Sequence, residues 1–407
     1  MKFLLSFGPG IFAIGYTIGT GSVTSMIVAG NNFGMDLLWV LFLSCLFSGV
    51  LIYVSGSYYL STGETALFSI KKHLPYGKVI AIAIIIMVGI GQWNSLIGIL
   101  GITSNVIYEI LYLNFPSLAE YKYWVVLSLA ILIIGIFYSL LIKGNYNIFE
   151  KVLALFVTMM GLSFVISLFF VYPLPSEVIL GLVPKIPEVK GAGILIAAFV
   201  GTTMAAATFL SRPLFVQGKG WTKKDFKTQR NDSIVAALLI FGISGSIMAV
   251  ASASLYGNGH EINHVLDMSR TLEPSAGKFA VSIFFAGTLS AGLSSIFPCL
   301  MIVPLMLGDY NSGKLDVTSK RFKIITGVAS ILALTVPIFG FNPIKGQIIT
   351  QVFNVFGLPL VIISLLFLWN RKNVSLPDNR TITNIIMLAA FVFSVIIMIN
   401  GLKDIFS

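Results

Sequence analysis

Apolar stretches of about 20 residues, long enough to cross a hydrocarbon layer as helices, recur eleven times along this chain. They lie at residues 8–30, 35–60, 79–108, 123–142, 149–171, 190–216, 233–256, 278–306, 322–341, 346–370 and 383–402. No other feature narrows the fold as far. Lipid offers backbone N–H and C=O groups no partners, so a spanning segment must be a helix or part of a closed barrel. Stretches this long read as helices. Only 10% of the 407 residues are charged, against about 25% in soluble domains. The expectation is an all-α, multi-pass membrane protein.

The connections carry turn punctuation, as in "HLPYGK", "YPLPSE" and "SLPDNR". The longest of them, near 172–189, 217–232 and 257–277, are too short to fold alone, so residues 1–407 form a single transmembrane domain. There is no P-loop and no HExxH motif. An ATP-driven pump and a metalloprotease are therefore not expected, nor is enzyme activity, and no cofactor is called for. "MKFLLSFGPG" runs into the first stretch without a small-residue cleavage site, so no cleavable leader is expected.

The net charge of +10 does not point to nucleic acid, because Lys and Arg sit in short loops between apolar spans. Their distribution gives an orientation. With the N-terminus cytoplasmic, 19 of the 26 basic residues fall on the inner side. The C-terminus is then external, and the plasma (inner) membrane is the expected location. Cys45 and Cys299 both lie in apolar stretches and read as small core residues.

Two spans carry candidate interruptions. In "GYTIGTGSVTSMIVAG" the run Gly19, Thr20, Gly21, Ser22 lies roughly 15 Å beyond Pro9 at 1.5 Å per residue, near the midplane. In "FVGTTMAAATFLSRP" Gly201, Thr202 and Thr203 sit mid-span. Backbone freed from a helix at that depth has to line a cavity or be buried in protein. Breaks in the first and sixth spans fit two five-span halves of inverted topology, about 8–171 and 190–370, with an extra helix at about 383–402. Secondary transporters bind substrate between two such breaks. The plainer explanation is that these glycines only let helices pack closely.

The sixteen carboxylates, Asp232 and Asp309 among them, fall in loops or near span ends, and His73, His260 and His264 fall in loops. Proton relays in transporters use intramembrane Asp, Glu or His. Proton coupling through such a relay is therefore not expected.

Across nearly its whole length the sequence resembles the Nramp (natural resistance-associated macrophage protein) family of divalent-metal transporters. "GPGIFAIGYTIGTGSVTSMIVAGNNFGMDLLWV" is similar to the family's first span, "STGETALFSI" to its TGKDLA segment, and "QVFNVFGLPLVIISLL" to its tenth span. The resemblance implies a LeuT-type 5+5 inverted repeat with an eleventh helix, helices 1 and 6 being broken at mid-membrane. It also implies transport of a small inorganic ion across the lipid bilayer by alternating access.

The motifs that hold the metal in the family are changed. Its DPGN falls on Gly19, Thr20, Gly21 and Ser22, and its sixth-span MPH on Ala205, Ala206 and Ala207. Its third-span proton-handling Asp and Glu fall on Gln92 and Ser95, while its tenth-span Gln is retained as Gln351. Arg212 falls where the family has a second sixth-span His. Arg212 is expected to snorkel to the inner interface; the alternative is that it lines an inner vestibule. Met204 stands beside the lost Met position but is turned about 100° away on a helix.

The remaining donors are unwound-backbone carbonyls, such as those of Tyr16 and Thr202 or Thr203, and neutral oxygens: Thr20, Ser22, Thr24, Gln351 and Asn354. The substrate site is thus expected at Tyr16, Gly19, Thr20, Ser22, Thr202, Thr203, Ala205 and Gln351, with any metal held there through carbonyls and water. A wide, neutral, oxygen-lined cavity suits Mg²⁺, which keeps several of its waters. The competing expectation is a LeuT-type carrier of a small zwitterion or anion, held at half-helix N-termini. Na⁺ would then sit at Ser/Thr oxygens such as Ser290, Ser294 and Ser295. A sensor that binds without transporting is a third class.

Overall fold

The computed structural model describes residues 8–143, 146–185, 187, 192–257, 262, 273–340, 343–372, 374 and 380–406. The expectations for His260 and His264 lie outside the described residues.

Each of the eleven apolar stretches is helical. The first span is the pair Gly8–Thr17 and Thr20–Phe33, bent by 53°. Leu38–Thr62, Gly77–Asn114, Lys122–Ile142 and Tyr146–Phe170 follow. The sixth span is Ala192–Thr203 with Ala206–Gly218, the seventh Phe226–Leu255 and the eighth Glu273–Ser312. The ninth is Lys320–Ala333 with Thr335–Phe339, the tenth Pro343–Phe356 with Leu358–Trp369, and the eleventh Arg380–Phe406. Ten of these are long and apolar enough to span a membrane, and the bent first pair makes eleven.

Contacts between connections sort them to two ends, as an even alternation of spans requires. At one end Glu64, after the second span, meets Lys72 at 2.6 Å and Arg371, after the tenth, at 3.9 Å. Gln217 at the end of the sixth span bonds Gly313 O and Leu315 N, after the eighth. Asp309, near the end of the eighth, accepts from the amides of Leu67 and Phe68 and from the Thr65 hydroxyl. It thereby caps the connecting helix Ala66–His73, whose own N-cap Thr65 supplies no side-chain bond. At the opposite end Trp39 Nε1 donates to Lys185 O, Lys122 pairs with Glu109, and Gly193 N donates to Asp404. The first end, richer in Lys and Arg, is called the basic end below.

The sixth span is the centre of the bundle and the eleventh its rim: 89% of the sixth's apolar window is buried, against 28% of the eleventh's. The eighth span packs on the third and fifth, the trailing half of the first on the seventh, and the sixth on the tenth.

The seventh helix begins at Phe226, seven residues before its apolar stretch. In "FKTQRNDS" Gln229, Asp232 and Ser233 share one face and are buried, while Lys227, Thr228, Arg230 and Asn231 are exposed. That i, i+3, i+4 spacing carries a carboxylate into the bundle, so Asp232 is not a loop residue. Asp232 Oδ2 lies 2.5 Å from Arg212 Nη2, with both side chains almost fully buried. Arg212 also donates to Gln229 Oε1. The expectation that Arg212 snorkels is thus corrected. A buried partner on the next helix holds it inside the protein, so it does not snorkel to the interface, and of an inner vestibule the structure shows only that Arg212 is not among the residues lining the central cavity.

Candidate functional site

The first-span break forms where Ile18 N makes the last bond of the leading half, to Ile14 O, and Val23 N makes the first of the trailing half, to Gly19 O. Gly19 between them is extended, with φ −99° and ψ −171°. Any residue adopts that conformation, so φ does not require the glycine; space does. A Cβ at Gly19 would lie 2.4 Å from Ser295 Oγ, which itself donates to Gly15 O at 2.7 Å.

The sixth-span break falls later than the sequence suggests. Gly201, Thr202 and Thr203 stay helical, and the interruption is at Met204 and Ala205, the latter with φ −64° and ψ 114°. The two threonine hydroxyls bond back to Phe199 O at 2.9 Å, so both are satisfied within their own helix. Gly201 admits the tenth span, because a Cβ there would lie 2.0 Å from Gln351 O.

Between the two breaks and the third, eighth and tenth spans lies a cavity of about 20 Å³. Every residue lining it is buried. Of the expected site residues, Tyr16, Gly19, Ser22, Thr202, Ala205 and Gln351 line it. Two are turned elsewhere. Thr20 points toward Gly292 of the eighth span, and Thr203 gives its carbonyl to Ser48 Oγ at 2.7 Å. Met204 is fully buried away from the cavity. Ser290, Ser294 and Ser295 do not line it either. Asn354, Gln92 and Ser95 do, together with Gly21, Cys299 and Gln347.

The polar lining is a ladder of uncharged groups between the third and tenth spans. Asn354 Nδ2 donates to Gln351 Oε1 at 2.7 Å, Gln351 Nε2 to Ser95 Oγ at 3.3 Å, and Gln92 Nε2 to Asn354 Oδ1 at 3.3 Å. Cys299 Sγ lies 3.7 Å from Gln92 Oε1. Glycines make room for the amides: a Cβ at Gly91 would lie 2.1 Å from Asn354 Oδ1, and one at Gly21 2.3 Å from Gln351 Nε2. Among the described residues no three His, Cys, Asp or Glu side chains gather where a metal ion would fit.

The lining is neutral and oxygen-bearing, but the cavity is not wide. It has room for about one water, so a cation that keeps several waters does not fit this conformation.

Gln347 was legible in the sequence and went unused. "QIITQVFN" sets amides at 347, 351 and 354, an i, i+4, i+7 spacing that puts them on one helix face.

Comparison with known proteins places the chain. The sequence model of the family described as natural resistance-associated macrophage protein-like (Nramp) matches residues 10–403. The divalent metal cation transporter MntH of Klebsiella pneumoniae (strain 342) is 25% identical, over 97% of this chain and 92% of its own length. MntH of Caldanaerobacter subterraneus is 27% identical over 64% of this chain and 62% of its own. The structure resembles that of the Eremococcus coleocola manganese transporter with a TM-score of 0.77 and 14% identity, covering 100% of this chain and 88% of that one. It also resembles Mhp1, a nucleobase-cation-symport-1 family transporter in a closed conformation, with a TM-score of 0.64 and 14% identity, over 98% and 90% of the two chains.

Proposed function

The chain belongs to the Nramp family, and we propose that it is a secondary transporter that moves a divalent metal cation across the membrane by alternating access. Its family is one of ion transporters, not enzymes. The cargo that best matches the lining is Mg²⁺ carrying part of its hydration shell, moved without proton coupling. One observation carries this reading: among the described residues the groups facing the cavity are amides, hydroxyls, backbone and a single thiol, Cys299, with no carboxylate, imidazole or thioether.

Transition metals favour imidazole and sulfur, and Mn²⁺ favours carboxylate and carbonyl oxygen. A hard ion that releases its waters reluctantly loses less in a site of neutral oxygens. Tyr16, Gly19, Ser22, Thr202, Ala205 and Gln351 are the positions proposed to meet it, through carbonyls, side-chain oxygens and water. A partly hydrated ion needs more room than the 20 Å³ cavity gives, and it enters when the half-helices move apart. The basic end is proposed to face the cytoplasm, which places the N-terminus inside and the C-terminus outside.

The test is uptake into proteoliposomes of Mg²⁺, Mn²⁺ and Ca²⁺, each alone and in competition. Weakly selective uptake that favours Mg²⁺ is expected. Uptake of Mn²⁺ alone, at micromolar concentration, would reject the neutral-oxygen account.

A second reading follows from the trailing half-helices. Neither Gly19 nor Ala205 supplies a side-chain cap, so the partly positive N-termini of Thr20–Phe33 and Ala206–Gly218 are available to an anionic group. A small zwitterion or organic acid would be the cargo. Stabilisation by such a compound, with no uptake of any dication, would favour it.

A further inference from the structure

Gln347 stands one helical turn before Gln351 on Pro343–Phe356, about 6 Å farther along the axis at 1.5 Å per residue. The alternation of spans puts it on the side of the cavity away from the basic end. It lines the cavity and is fully buried. Its neighbours on that helix face, Gln351 and Asn354, are bonded within the ladder. Gln347 is not: neither Oε1 nor Nε2 has a hydrogen-bond partner among the described residues. Buried polar groups are nearly always bonded, because an unpaired one bears its full desolvation cost.

The surrounding backbone is cut to fit this side chain. A Cβ at Gly98 of the third span would lie 1.9 Å from Gln347 Oε1. A Cβ at Gly21 of the first span would lie 2.6 Å from Gln347 Nε2. Glycine at both positions is what lets the amide reach between two other spans. A leucine at 347 would fill the same gap with no polar group to satisfy. Among the described residues the amide is therefore left without the partner its burial calls for.

We propose that Gln347 is a cation-binding subsite at the mouth of the central cavity opposite the basic end, where its amide oxygen replaces one water of an incoming divalent cation. The proposal rests on the divalent-cation reading of the central site. An amide oxygen is a hard, neutral donor of the kind that Mg²⁺ and Ca²⁺ accept. An ion that meets Gln351 with only part of its hydration shell has given up waters on the way in. Gln347 stands where the first of them would be exchanged, so it sorts ions by how readily they give up water.

The experiment measures Mg²⁺ and Mn²⁺ uptake by the full-length protein in vesicles, for the wild type, Gln347→Leu and Gln347→Glu. Gln347→Leu should raise the half-saturating Mg²⁺ concentration about tenfold, the loss of one ligand. Gln347→Glu, which adds a charged oxygen at the same place, should lower the half-saturating concentration of both ions by about tenfold. If the leucine variant does not fold, Gln347→Met keeps the length and flexibility of the side chain and makes the same comparison. Wild-type uptake with unchanged half-saturation in the Leu or Met and the Glu variants would overturn the subsite alone. No dication uptake by the wild type would overturn the reading of the central site on which it rests.

Discussion

Ser22 is the side chain through which the neutral character of the site is most directly changed. It lines the cavity, and its hydroxyl has no hydrogen-bond partner among the described residues. Ser22→Asp places a carboxylate there, and a carboxylate is a preferred Mn²⁺ ligand. Isothermal titration should show Mn²⁺ affinity raised by about tenfold or more, and unchanged affinity would mean that position 22 does not face the ion. Gly19→Asp should fail where Ser22→Asp succeeds, because its Cβ meets Ser295. Six of the expected positions line the cavity: Gly19, Ser22, Ala205 and Gln351, expected from motif order, and Tyr16 and Thr202, expected from backbone freed at the breaks. Thr20 and Thr203 do not, because each is one residue from a lining position, and one residue turns a helix by about 100°. Which of two adjacent residues faces a cavity depends on where the break falls, and in the sixth span it falls at Met204 and Ala205, past the glycine that seemed to mark it.

The leading half-helix Gly8–Thr17 is held at the basic end by two ion pairs. Asp232, paired with Arg212, packs on Gly10, where a Cβ would lie 2.7 Å from Oδ1. Lys219 and Glu150 meet at 2.5 Å over Gly8. Removing one partner of a buried pair strands the other charge, at a cost of about 3–5 kcal/mol, whereas replacing both with apolar groups is often neutral. Asp232→Ala should therefore lower the melting temperature of detergent-solubilised protein markedly, and Arg212→Leu with Asp232→Leu should recover most of the loss. Equal destabilisation by the single and double variants would mean that packing, not charge, holds this end. The pair was hidden from the sequence because hydropathy starts the seventh span at 233, whereas the helix takes in the amphipathic turns before it.

The connection at the same end has its own pH dependence. Burial acts to raise the pKa of Glu64, but hydrogen bonds and charge from Lys72 and His73 outweigh it, and the carboxyl is held below its usual value of 4.5. A carboxylate with a depressed folded pKa contributes stability above its unfolded pKa, and the contribution is lost as pH falls through the folded value. Melting temperatures of wild type and Glu64→Gln should differ at pH 7 and converge as pH falls below about 4. A constant difference down to pH 3 would contradict the pairing.

For the whole molecule, eleven spans in the right places were legible because lipid leaves the backbone so few options, and the family resemblance arranged them. The width of the cavity was not legible. Side-chain identities gave a neutral lining, but only the packing of Gly21, Gly91 and Gly98 against amides brings the tenth span close enough to leave about 20 Å³. The consequence for transport is that the amide ladder occupies the third-span positions, Gln92 and Ser95, where the family has acidic residues. Amides and hydroxyls bond strongly without taking up a proton near neutral pH, and the proposal of transport without proton coupling rests on that. One measurement tests this most directly: Mg²⁺ entry and lumenal pH followed together in proteoliposomes loaded with a pH-sensitive dye. The account predicts Mg²⁺ uptake with no lumenal acidification beyond that of protein-free vesicles, and a rate indifferent to an imposed pH gradient once the membrane potential is clamped. Acidification in step with Mg²⁺ entry, or uptake driven by an inward proton gradient, would contradict it.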